Sequence, residues 1–307
     1  MRARVVGSDA LLLLTAAIWG FAFVAQRAGM SYMGPFTFNA VRFALGGFSL
    51  VLFARLRHGK PATRRDVGFG IGRTWLVRSG ALAGVVLYAG ASLQQVGIVY
   101  TTAGKAGFIT GLYIVIVPFL ALFRGGRPTV GAFSGALVAV AGLYLLTVTE
   151  SLSISPGDLL VLGSAFFWAV HVLLVGWLVS FLDPLRLALR QYATCAVLSL
   201  LTACALEPLA AGSILNAAVP LLYAGLASVG IAYTLQVVAQ RHAKPVHAAI
   251  ILGLESVFAA LGGWALLGES LTGRAVVGCG LMLAGAATSI LTRHSGSLPE
   301  AAGQTAT

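Results

Sequence analysis

Residues 156–184 read PGDLLVLGSAFFWAVHVLLVGWLVSFLDP, and from Leu159 to Leu182 the only ionisable side chain is His171. A bilayer core about 30 Å thick is crossed by about 20 mostly apolar residues in a helix. This stretch is therefore a membrane span. The same ruler, moved along the chain, gives ten spans: 10–30, 35–56, 76–98, 101–123, 129–149, 157–181, 184–206, 217–240, 244–268 and 272–292. Composition agrees, with 58% hydrophobic and 9% charged residues and a mean hydropathy of +0.92. An ordinary soluble domain carries about 25% charged residues, and so few charges cannot cover a surface facing water. A soluble enzyme, a disulfide-stapled secreted domain and a disordered chain are excluded. The fold class is an all-α polytopic membrane protein.

The first span resembles a signal peptide only at its start, where Arg2 and Arg4 precede an apolar run. That run is too long for a signal-peptide core and holds Trp19 and Phe21 where small cleavage-site residues are wanted. It reads as a retained helix. The cysteines, Cys195, Cys204 and Cys279, lie within apolar segments without metal-ligand spacing and read as small buried hydrophobes.

The net charge of +11 acts as a topological signal rather than a nucleic-acid footprint. With the N-terminus cytoplasmic, the inner face carries Arg2, Arg4, Arg55, Arg57, Lys60, Arg64, Arg65, Arg73, Arg78, Arg124, Arg127, Arg186, Arg241, Lys244 and Arg293. The outer face receives Arg27, Lys105 and Arg274, beside Glu150, Asp158, Glu207 and Glu269. Basic residues stay on the cytoplasmic side, so both termini are expected there.

The two halves of the chain resemble each other. Trp19 matches Trp168 and Pro35 matches Pro184, each pair 149 residues apart. Leu93-Gln94 matches Leu235-Gln236, and Gly111-Leu112 matches Gly253-Leu254, each 142 apart. The offset shrinks across the long basic loop of the first half. Five spans per copy is an odd number, so the second copy enters from the opposite face. The expected architecture is two inverted five-helix repeats, 1–149 and 150–293, followed by a disordered cytoplasmic tail, 294–307. Inverted repeats supply a natural route to alternating access.

These landmarks, in order, resemble the drug/metabolite transporter superfamily in its EamA-type branch of ten-helix permeases. The resemblance rests on Trp19-Gly20, on Pro35 with Arg42, and on the run from Thr102 through Gly104-Lys105-Ala106-Gly107 to Gly111-Leu112 and Pro118. It continues through Gly157-Asp158, Trp168-Ala169, Leu254-Glu255 and Leu267-Gly268-Glu269, covering residues 9 to 293. It implies a secondary active transporter, in the export direction, for small organic metabolites, amino acids or drugs. A bacterial inner membrane is the setting it suggests. Two departures stand out. Ser256 occupies a position where such proteins often carry proline, which bears on the bend of span nine, and Arg124-Gly125-Gly126-Arg127 replaces the glutamate that often closes span four.

Ionisable groups inside hydrocarbon cost about 2.5–3.5 kcal/mol each on insertion scales, so each is a functional candidate. Arg42 lies two turns inside span two, Lys105 near the outer end of span four, and Glu255 near the middle of span nine. Spans four and nine are repeat counterparts and would line a shared cavity. Arg42 and Lys105 would attract an anionic group, and Glu255 would bind an amine or carry a coupling proton. The alternatives are a structural ion pair to Glu255 and, for Arg42, a packing or lipid-headgroup role. His171 is a proton relay or a histidine bonded to a neighbouring helix, while His247 is expected at the inner interface. Gln94, Gln191 and Gln236 would satisfy one another or a ligand. Asn39 and Thr110 read as glue between helices, worth about 0.6 kcal/mol each. Trp19, Trp168 and Tyr113, with Tyr88 and Tyr233, sit mid-span, where they would line a cavity for amphipathic compounds or simply pack.

Phosphate loops, metal clusters and a His-Glu-x-x-His motif are missing from the sequence, and Gly68-x-Gly70-x-Gly72 follows no strand. The chain is expected to be no enzyme and to use no cofactor. Its expected partners are a small-molecule substrate, lipid and a coupling proton, with no nucleic acid. Two rivals have stated requirements: a membrane-embedded enzyme needs a nucleophile or metal at an interface, and a lipid translocator needs a cavity opening sideways.

Overall fold

The computed structural model describes residues 2–56, 73–123, 129–147, 155–208 and 211–295. Most of the basic loop after span two, including Arg57, Lys60, Arg64, Arg65 and its glycines, lies outside the described residues. So do Arg124 to Arg127, Glu150 and the tail beyond Ser295.

Among the described residues, all regular structure is helical. The helices are α1 Arg2–Gly29, α2 Pro35–Leu56, α3 Arg73–Ile98, α4 Ala103–Gly111, α5 Tyr113–Phe123, α6 Val130–Thr147 and α7 Pro156–Leu178. Then come α8 Pro184–Leu206, the short α9 Ala211–Asn216, α10 Ala218–Leu222, a π-helical stretch Tyr223–Tyr233 and α11 Thr234–Ala239. The chain closes with α12 Pro245–Leu252, α13 Glu255–Leu267 and α14 Gly273–Ser295. Nine stretches of described residues are long and apolar enough to cross a membrane, and α6 supplies a shorter apolar helix, Val130–Leu145. This is the expected all-α polytopic membrane protein.

Local chemistry sets the boundaries. Proline opens α2, α7, α8 and α12, where its missing N–H costs nothing. Ser155 and Asp158 form a reciprocal capping box on α7, and Asp183 caps α8 by accepting from Arg186 N at 3.1 Å. α13 ends at Gly268, whose φ of +69° is the left-handed conformation that glycine adopts without strain.

Among the described residues, three spans are not continuous α-helices. The fourth is interrupted at Leu112, the ninth at Gly253-Leu254, and the eighth contains eleven π-helical residues. The ninth therefore breaks although Ser256 replaces proline. Ser256 serves instead as an interhelical donor, its Oγ reaching Gly107 O at 2.7 Å.

α1 packs on α13 and the π-helical stretch, α2 on α8, α3 on α7 and α8, and α6 on α14. Large apolar side chains such as Phe48, Phe53, Phe119 and Phe133 point outward. That exterior suits hydrocarbon and would be untenable in water. Cys195 is buried, Cys279 half-buried and Cys204 exposed. The expectation of a buried cysteine fails for Cys204, because α8 turns that face away from its neighbours.

The α1–α13 contact is backbone-close. A Cβ on Gly20 would overlap Phe258 Cβ and come within 2.7 Å of Glu255 O and 2.8 Å of Ala259 N. Those backbone atoms cannot yield separately, and overpacking of this kind costs about 1–3 kcal/mol or more. Gly20→Val is expected to lower the thermal unfolding temperature in detergent by several degrees. Gly280→Ala, with nothing within 4 Å of the added carbon, should leave it unchanged. Equal melting of the two variants would contradict the close contact.

Candidate functional site

The α1 residues Trp19, Phe23 and Gln26 recur at intervals of four and three, so they share one helix face. With Ala22 they form one wall of a central cavity. Arg42 of α2, Gln94 of α3, Thr110 of α4 and Tyr113 of α5 form a second wall. Trp168 and Val172 of α7, Ser228 and Tyr233 of the π-helical stretch, Gln236 of α11 and Glu255 of α13 complete it.

The apolar part is an aromatic cluster centred on Tyr233. Its ring centroid lies 4.5 Å from Trp19, 6.0 Å from Trp168 and 6.3 Å from Tyr192. The π-helical stretch presents its carbonyls to α1: Trp19 Nε1 donates to Ser228 O at 3.4 Å and Thr15 Oγ1 to Ala232 O at 3.3 Å. Such widened turns recur at functional sites.

The polar part is one cation and one carboxyl group. Arg42 is 1% exposed, out of reach of lipid headgroups. Its Nε donates to Asn39 Oδ1 at 2.9 Å, and Asn39 in turn donates to Ala91 O at 3.2 Å, tying α2 to α3. The guanidinium lies over the Phe43 ring at 5.0 Å, and its Nη2 has no hydrogen-bond partner among the described residues. Glu255 is 4% exposed and stands beside the Tyr113 hydroxyl. Trp168 Nε1, Gln26 Oε1 and Gln236 Oε1 are likewise buried without a partner among the described residues. Buried polar atoms are nearly always paired, and these cavity-lining groups keep unused hydrogen-bonding capacity.

The sequence-derived candidates divide cleanly. Trp19, Arg42, Gln94, Tyr113, Trp168, Gln236 and Glu255 line the cavity. Lys105 does not. Its Nζ pairs with Asp158 Oδ2 at 2.6 Å, at the start of α4 and α7. His171 and Gln191 sit behind the wall, with His171 Nε2 and Gln191 Oε1 2.9 Å apart and the imidazole edge-on to Trp168. The glutamines bond elsewhere rather than to one another, Gln94 to Thr110 at 3.0 Å and Gln236 to Gln240 at 3.0 Å. Tyr88 turns to α8, its hydroxyl 2.6 Å from that of Thr202. His247, in the first turn of α12, is buried against neighbouring helices, with Nε2 2.9 Å from Asp9 Oδ1 and Nδ1 3.0 Å from Ser289 Oγ. Sequence reasoning missed Gln26, which its spacing from Trp19 and Phe23 could have exposed. Ser228 carried no signal, because it enters through a π-helix that an apolar sequence does not announce.

Repeat offsets recur in the lining. Trp19 and Trp168, and Phe23 and Val172, are 149 apart, while Gln94 and Gln236, and Tyr113 and Glu255, are 142 apart. The last pair directly follows the two helix interruptions.

The EamA-like transporter family profile matches residues 7–148 and again residues 155–291. The chain belongs to the EamA-like transporter family. This makes it a membrane transporter of the drug/metabolite type. Among similar proteins, an uncharacterized transporter of Archaeoglobus fulgidus is 30% identical over 272 residues, covering 86% of this chain and 80% of its own. A chloroplastic WAT1-related protein of Arabidopsis thaliana is 26% identical over 298 residues, covering 92% and 67% respectively. A solved crystal structure superposes with a TM-score of 0.73 at 21% identity, covering 93% of this chain and 99% of the other, which supports the fold alone.

Proposed function

We propose that this protein is a secondary active exporter of small amphipathic metabolites that carry an anionic group, working by alternating access around the central cavity. The observation that carries the reading is that buried Arg42 and buried Glu255 line one aromatic-lined space. Arg42 offers an unspent guanidinium donor to a carboxylate or similar anion. Trp19, Trp168 and Tyr233 cover the apolar body of the substrate, and Glu255 takes a substrate amine or the coupling proton. The two halves act as inverted repeats, supported by the double family match and by the paired lining positions. Both termini face the cytoplasm of a bacterial inner membrane, supported by the positive-inside pattern.

The test is flux in proteoliposomes with aromatic amino acids and other ampholytes, each compared with its methyl ester. The acid is expected to be moved at least ~10-fold faster than the ester, about 1.4 kcal/mol of discrimination. Equal flux of acid and ester would remove the anionic group from the substrate definition.

A further inference from the structure

Among the described residues, two helix starts are capped by residues remote in sequence. At α2, Glu207 accepts from Phe36 N and Thr37 N, each at 2.8 Å, and from Thr37 Oγ1 at 2.6 Å. Glu207 follows α8, 170 residues further along from Thr37. At α4, Glu269 accepts from Ala103 N and Gly104 N, each at 3.1 Å, and comes from just beyond α13, 165 residues past Gly104. A carboxylate at a helix N-terminus satisfies orphan N–H groups and the positive end of the helix dipole together.

Helix capping is ordinarily local. Thr102, Ser155 and Asp183 do it in this chain from adjacent positions, and such caps survive any movement of the helix as a body. Glu207 and Glu269 differ in kind, because each bond lasts only while the ends of two separate helices stay together. Both join counterpart spans across the two halves: the seventh to the second, and the ninth to the fourth. Both lie at the end of the bundle where α2 and α4 begin. By helical rise, Arg42 and Thr110 are each about 10 Å below those starts. The two carboxylate caps therefore sit at the end of the bundle above the cavity. The chain leaves room for them: a Cβ on Gly34 would collide with the Glu207 carboxyl, and one on Gly104 would lie 2.9 Å from Glu269 Oε2.

The opposite end is built otherwise. α8 is capped by its own Asp183, and α12, the counterpart of α4, starts without a side-chain cap. There α1, α12 and α14 meet through Asp9, His247 and Ser289. That trio has the connectivity of a hydrolytic triad, but Ser289 is 2% exposed and out of reach of a substrate.

We propose that Glu207 and Glu269 form the outer gate of this transporter, a pair of carboxylate clasps that hold α2 and α4 shut over the cavity and release them during each cycle. Release strands N–H groups and a carboxylate, and water entering the open vestibule satisfies both, which makes the clasp reversible. The inference rests on the transport reading above.

The test uses the full chain with Cys195, Cys204 and Cys279 replaced by alanine and one reporter, Ala22→Cys, in the cavity wall. Oriented vesicles receive a membrane-impermeant thiol reagent on one face at a time. With both Glu207→Ala and Glu269→Ala present, labelling from the clasp face is expected to rise roughly 10-fold, the population shift of an unlatched gate. Labelling from the other face should not rise. Gly104→Val, which dislodges Glu269 while keeping its charge, should act in the same direction, and it serves if the alanine variants fail to elute as folded protein. Folded variants with unchanged labelling would overturn the gate, as would equal increases from both faces, which signal general loosening. Labelling needs no substrate, so failure of the proposed substrate or coupling would show in flux and leave this readout standing.

Discussion

Glu255→Gln is expected to abolish proton-driven transport while the protein stays folded. Glutamine keeps the shape of the side chain and its place at the start of α13, so unfolding temperature and elution in detergent should match the parent. What it removes is the ability to gain and lose a proton in a cavity where Tyr113 is the immediate neighbour. The expected fall in proton-driven accumulation in proteoliposomes is at least ~100-fold, about 2.7 kcal/mol. Counterflow, the exchange of labelled for unlabelled substrate without a gradient, separates the two roles. It survives if Glu255 carries the proton and disappears if Glu255 binds a substrate amine. Full accumulation by the glutamine variant would remove Glu255 from both roles.

Arg42→Met is expected to separate function from stability in the opposite sense. The guanidinium is buried, held by Asn39 and the Phe43 ring, with Nη2 unpaired among the described residues. Burying a cation without a carboxylate opposes folding, and methionine fills the space without that opposition. Unfolding temperature should therefore hold or rise while flux of an anionic substrate falls ~100-fold, about 2.7 kcal/mol. Lysine should not restore flux, because it lacks the planar fork that engages Asn39 and an anion together. A large loss of stability in Arg42→Met, with flux retained per folded molecule, would make Arg42 a structural residue.

The span boundaries were legible because hydrocarbon thickness translates directly into residue count, and the starts at Pro35, Pro156, Pro184 and Pro245 are written in proline. Depth is not azimuth, however. Lys105 sits in an apolar run as Glu255 does, but the helix turns it toward Asp158, and no single-sequence ruler measures that rotation. The interruptions at Leu112 and Gly253-Leu254 fell on matched repeat landmarks, yet nothing in their composition distinguishes a break from a close packing contact. The π-helical stretch was invisible for a related reason. Its eleven residues are as apolar as an α-helix, and they pack against α1 and α2. The aromatic and glutamine lining was within reach because large polar or aromatic side chains at mid-span need a reason to be there. Gln26 and Ser228 needed the tertiary structure to join them.

Tyr113 and Glu255 occupy equivalent places after equivalent helix breaks, yet only one of them is an acid. If Glu255 is the coupling group, that inequality fixes a stoichiometry. Each turnover exchanges at most one proton through the cavity, and the chemical part of a tenfold proton gradient supports about a tenfold substrate gradient, both worth about 1.4 kcal/mol. A second acid at position 113 would raise the ceiling to about a hundredfold, while leaving a second negative charge to be neutralised before the loaded site could turn over.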